Sequence, residues 1–216
     1  MDVNGATRSA PPGISAKAPN GGRERVLRAA YDLFSRQGVR AVGVDTIVAQ
    51  AGVAKMTFYR HFPSKDDLVL AFLQRREKLW THEWLEAEVK RRATTPRERL
   101  LAIFSVFDEW FQREDFEGCS FINVLLEMSE AAHPVRQATT FHLANIRVLL
   151  KELAEGAGVA EPDDFARKWH ILMKGSIVAA GEGDRLAARR AREVGRLLLA
   201  SEPDRTLSSL RRLGRR

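Results

Sequence analysis

Between Lys55 and His61 the chain reads Lys-Met-Thr-Phe-Tyr-Arg-His. Lys55 and Arg60 carry positive charge, and Thr57, Tyr59 and His61 add hydroxyl and imidazole groups. That mixture suits pairing with phosphate oxygens and hydrogen bonding to base edges in a DNA major groove. Lys55 has the reach for a phosphate or a guanine edge. Met56 and Thr57 offer apolar contact to a thymine methyl, and Thr57 can also hydrogen-bond. Arg60 is open between DNA and a surface carboxylate. His61 has no second ligand at metal spacing, so no metal is expected there.

Such a set works only if a scaffold turns it outward. Val44–Ala51 and Lys55–Phe62 read as two short helices, with Gly52-Val53-Ala54 as the turn between them. Gly52 takes positive φ at little cost. Ile47, Ala51, Val53 and Phe58 are spaced to meet on an inner face, and Phe62 also reads as inward. Taken alone, the pattern fits an ordinary hairpin in an all-α core equally well. Ahead of it, Arg23–Gln37 repeats apolar residues at helical spacing (Val26, Leu27, Ala30, Leu33, Phe34) and stops at Gly38. Arg40, in the following loop, is placed to touch a phosphate. Thr46 lies in the first turn of the second helix, where its hydroxyl and the free N–H groups can hold a phosphate oxygen. Pro63 ends the third helix. Ser64 caps a fourth, which continues through Leu68, Val69, Phe72 and Leu73 to Trp80 and on toward Val89.

Arg23–Gly38, the turn unit and the run Thr57-Phe58-Tyr59-Arg60-His61-Phe62-Pro63-Ser64-Lys65-Asp66-Asp67-Leu68 together resemble the N-terminal domain of the tetracycline-repressor (TetR) family over residues 23–75. Gly43, Ala54 and Met56 depart from the family's usual residues, which bears on the operator sequence rather than the fold. The resemblance implies that Thr46, Tyr59, His61 and Lys65 contact the DNA backbone. It also implies an all-α chain: an N-terminal three-helix helix-turn-helix DNA-binding domain plus a C-terminal helical ligand-binding and dimerisation domain. The expected divisions are an arm at 1–22, the DNA-binding domain at 23–68, the body at 69–201 and a basic tail at 202–216.

The body reads as helices opening near Pro96, Ser120, Pro134, Asp163 and Arg185, the second of them running to Ala131. In the family, a cavity between helices takes an apolar or aromatic small molecule. Candidate lining groups are Trp84, Phe107, Trp110, Phe111, Asn123, His142 and Asn145. Phe165, Trp169, Leu172, Met173, Ser176, Ile177 and Ala180 follow helical steps on one face. With Val194, Leu197 and Leu198 of the last helix they are the expected homodimer interface; intrachain packing is the competing reading. The segment Phe116–Glu127, FEGCSFINVLLE, also resembles one branch of the family.

The chain has 216 residues, 44% hydrophobic, with net charge +7. Basic residues dominate 20–78 and 185–216, whereas 79–184 is net acidic, a distribution suited to phosphate attraction at one end. No apolar run approaches the roughly 20 residues that span a bilayer. The single cysteine, Cys119, fits a reducing cytosol and reads as a buried thiol. Residues 1–22 read as disordered. No phosphate-binding glycine loop, HExxH, CxxC or Gly-x-Ser-x-Gly appears, so neither an enzyme nor a cofactor is expected. The expected protein is a cytoplasmic homodimeric regulator, a repressor released from a palindromic operator by a small molecule. An activator, or an all-α small-molecule binder without DNA binding, is the alternative.

Overall fold

The computed structural model describes residues 21–202, and these are helical without strands. The elements are α1 (Gly22–Gln37), α2 (Val44–Ala51), α3 (Lys55–His61) and α4 (Lys65–Arg76). A π-helical stretch (Glu77–Glu86) and α5 (Ala87–Arg92) follow. The body continues with α6 (Pro96–Phe111), α7 (Ser120–Glu127), α8 (Pro134–Gly156), α9 (Pro162–Gly181) and α10 (Ala187–Ser201). The expected arm and tail fall outside the described residues, apart from 21–22 and 202.

Local chemistry sets these boundaries. Ser64 and Asp67 form a reciprocal capping box at the start of α4, and Thr95 and Glu98 form another at α6. From Lys65 to Arg92 the backbone stays right-handed across both junctions, at Glu77 and Ala87. The sequence predicts one α-helix over this rod, but its middle ten residues are π-helical. Its buried side chains, Trp80, Thr81, Trp84 and Leu85, include pairs four apart, which an α-helical pattern also produces, so periodicity alone does not announce the change. The helix α7 ends at Glu127, short of the expected Ala131. The Arg136 guanidinium donates to the carbonyls of Leu125 and Met128, tying down the chain beyond α7. The last helix starts at Ala187 rather than Arg185, because the Asp184 carboxylate takes the Leu186 N–H in a turn.

One hydrophobic core runs from α1 into the body. Phe72 of α4 packs edge-on against Tyr31 and Phe34 of α1, with ring centroids 5.5 and 5.4 Å apart. Trp80, Trp84, Phe107, Trp110 and Phe111 form a continuous aromatic cluster. Trp169 is enclosed between Phe165 and Phe104, at 5.3 and 5.4 Å.

That enclosure corrects much of the expected dimer face. Phe165, Trp169, Met173, Ser176 and Ile177 are buried within the chain itself. The face of α9 that carries the largest rings turns to the chain's own core, and helical stepping selected that face. The surface left outside carries Ile171 and Val178 on α9, Leu186 just ahead of α10, and Val194 and Leu197 on α10. Leu172, Ala180 and Leu198 are half-buried beside them.

His170, next to Trp169, is buried and its Nδ1 has no hydrogen-bond partner among the described residues. Burial, assisted by the charges of Lys174 and Arg147, lowers its pKa to about 3. The folded state therefore resists a proton that the unfolded chain accepts below its ordinary pKa. Stability is fully present above about pH 6.5 and falls with acidification, by roughly 2 kcal/mol at pH 5. Urea titrations at the two pH values should show this loss, and His170→Leu should flatten it.

Candidate nucleic-acid interface

The turn between α2 and α3 is built as a helix-turn-helix. Gly52 ends α2 in the left-handed region, at φ 61° and ψ 42°. Its carbonyl accepts from Arg25 of α1 at 3.0 Å, so the first helix holds the turn directly. Ile47, Ala51, Phe58 and Phe62 are buried and Val53 is half-buried. With Phe58 fixed inward, helical geometry leaves the opposite side of α3 to solvent.

Lys55, Met56, Tyr59 and Arg60 occupy that side, with Met56 78% exposed and Tyr59 42% exposed. Thr57 and His61 are half-buried on its flank. They face the start of α1: a methyl added at Gly22 would lie 2.7 Å from the Thr57 Cγ2 and 3.4 Å from the His61 Nε2. Arg40 and Thr46 are exposed, and Lys65 is half-buried. Arg60 has no carboxylate partner among the described residues. Lys55 does have one: its ammonium sits 2.7 Å from Asp45 in the first turn of α2. The hydrogen bond to Asp45, then its charge, raises the Lys55 pKa. Burial lowers that of Lys65, against the charges of Glu127 and Asp66. Nothing in the one-dimensional pattern links Asp45 to Lys55.

A second set of expected residues is placed differently. Trp84, Phe107, Trp110 and Phe111 are brought together, but they pack against one another as core. Asn123 is exposed. His142 and Asn145 act jointly, but on a protein group: His142 Nδ1 lies 2.9 Å and Asn145 Nδ2 2.8 Å from the Glu77 carboxylate. An apolar crevice lies elsewhere, walled by Leu85, Val89, Ile103, Ile146, Leu150 and Met173, with Glu86, Lys90 and Arg99 also lining it. None of the expected ligand residues lines this crevice. Aromatic size drew the sequence reading to the core, whereas the crevice is aliphatic. Cys119 is buried, and burial raises its pKa. Among the described residues, no cluster of metal-ligating residues occurs and no helix is long and apolar enough to cross a membrane.

Residues 26–72 match the family of bacterial regulatory proteins, tetR family. A solved TetR-type transcriptional regulator from Streptomyces avermitilis superposes with a TM-score of 0.76 and 31% identity, covering 85% of this chain and 98% of that one. The chain belongs to the TetR family. The transcriptional activator FasR of Mycolicibacterium smegmatis is 34% identical over 119 residues, 54% of this chain and 53% of FasR. The transcriptional repressor NemR of Escherichia coli is 24% identical over 134 residues, 62% of this chain and 67% of NemR. The chain thus matches about half the length of FasR. As a TetR-family protein it is a DNA-binding transcriptional regulator, and its relatives are regulators rather than enzymes.

Proposed function

We propose that the protein is a homodimeric, effector-responsive repressor that leaves a palindromic operator when a small molecule binds. The outward display of Lys55, Met56, Tyr59 and Arg60 on a braced α3 carries the DNA part of this reading. Thr57 and His61 join from the flank. Arg40, Thr46 and Lys65 extend the surface to phosphates on either side. The head, residues 23–68, is then the DNA-binding domain, and 69–201 the ligand-binding and dimerisation domain.

Dimerisation is supported by apolar side chains that α9 and α10 leave in water: Ile171, Val178, Val194 and Leu197. A two-fold partner covering them would set two α3 helices against successive major grooves, roughly 34–36 Å apart. The aliphatic crevice is the effector site in this reading. It adjoins the end of the π stretch, so an occupant there bears on the rod that carries α4. Moving the population from 1:99 to 99:1 needs about 5.5 kcal/mol of differential binding. An activator is the second reading, favoured by the likeness to FasR.

The test is binding to duplex from the chain's own upstream region against random duplex at moderate salt. The specific duplex should win, and Tyr59→Ala should weaken both about tenfold by removing a sequence-independent contact. Changes at Thr57 should instead alter the preference between duplexes. Equal binding of the two duplexes by the wild-type chain would sink the reading.

A further inference from the structure

We infer that α7 is a strut between body and head, and that Glu127 at its end is a positioning residue for the part of the DNA-facing surface formed by Arg40 and Thr46. This rests on the DNA-binding reading above. The stretch Phe116–Glu127, distinctive in sequence, carries two carboxylates that both end at the exit of α1. Glu117 lies 3.5 Å from the Arg36 guanidinium. The Glu127 carboxylate accepts the Arg40 backbone N–H at 2.6 Å, and its other oxygen rests against Gly38.

The fit at Gly38 is specific. Its φ is +78°, which disfavours a side chain, and an added methyl would run into the Glu127 carboxylate, with Cδ 3.2 Å away. Glu127 is also the last residue of α7, where the helix dipole disfavours a carboxylate. Helix stability does not account for an acid there, whereas the contact with the loop does. The loop it grips holds the buried Val39 and Val42 and leads into α2, whose first turn bears Thr46.

On the body side, α7 is joined to the rod. The Phe121 ring stacks on His142 at 5.5 Å and 25°, and His142 and Asn145 hold Glu77 in the π stretch. The rod itself holds the start and middle of α1, through Arg75 to Glu24 at 2.7 Å and Arg76 to the Tyr31 hydroxyl at 3.1 Å. The rod and α7 therefore grip α1 at different points along its length. A displacement of the rod relative to α7 would tilt α1, and with it the loop carrying Arg40. This is a contiguous path of contacts from the π stretch to the DNA-facing surface.

The experiment uses the full chain with Glu127→Ala and Glu127→Gln. Without DNA, Glu127→Ala should speed hydrogen exchange at the Arg40 amide by about tenfold or more, since a charge-assisted bond to that N–H is lost. Glu127→Gln keeps an acceptor and should stay within about threefold of wild type. On the upstream duplex, Glu127→Ala should weaken binding about three- to thirtyfold, the range expected when a coupling contact is removed. Glu127→Gln should recover most of that loss, with the melting temperature of both variants close to wild type. Unchanged Arg40 exchange in Glu127→Ala, or unchanged DNA affinity, overturns the inference. So does a loss of affinity that simply follows a lowered melting temperature. If the wild-type chain does not distinguish the upstream duplex, the operator reading fails, while Arg40 exchange still decides whether α7 braces the loop.

Discussion

Leu197→Glu is expected to yield a folded single chain that has lost DNA affinity by a hundredfold or more. Leu197 is 71% exposed in the isolated chain, so a carboxylate there costs the fold little. Its effect falls on association. On the proposed two-fold face, with Val194 beside it on α10 and Ile171 and Val178 on α9, the new charge would be taken out of water without a partner. Each head would then bind its half-site alone. Losing simultaneous engagement of two sites removes an avidity of about 10²–10⁴. Light scattering or sedimentation should show the mass halved, circular dichroism should show helix content kept, and anisotropy on a full operator duplex should show the affinity loss. A dimer that persists in Leu197→Glu would place the interface on another face.

The head was largely legible in the sequence because its signals are local. A glycine at a positive-φ turn, apolar residues at helical spacing and a Ser-x-x-Asp cap each act within a few residues. Gly52, Phe58 and Ser64 stand where those rules place them. The body was legible as helices but not as surfaces. Phe165 and Trp169 follow the same stepping as Ile171 and Val178, and nothing along the chain says which face meets α6 and which meets water. Long-range polar pairs were equally silent. Glu77 with His142 and Asn145, Lys55 with Asp45, and Glu127 with the Arg40 N–H join positions whose sequence separation bears no relation to a helical period. The π stretch was hidden for another reason, since its buried pairs four apart, Trp80 with Trp84 and Thr81 with Leu85, fit an α-helical pattern as well.

Phe72→Ala is expected to destabilise the chain by about 3–5 kcal/mol, the cost of deleting a fully buried ring and leaving a cavity. Phe72 is 0% exposed. It makes two edge-to-face ring contacts, with Tyr31 and Phe34, each of which adds about 0.5–1.5 kcal/mol beyond burial. Against a typical total of roughly 5–15 kcal/mol, the loss is a large share. For a chain of this size it corresponds to a fall in melting temperature of roughly 10 °C. The damage should be greatest in α1, because Phe72 joins that helix to the rod entering the body. Hydrogen exchange in α1 should therefore rise more than in α8 or α9, and DNA affinity should fall at temperatures where the body is still folded. Phe72→Leu separates packing from polar attachment: it fills most of the space but removes both ring pairs, while Arg76–Tyr31 and Arg75–Glu24 remain. If the Leu variant keeps α1 protected, those two arginines and apolar filling hold the joint. If α1 loosens as in the Ala variant, the ring contacts hold it. A melting temperature for Phe72→Ala within a degree or two of wild type would mean that α1 does not depend on the rod at all.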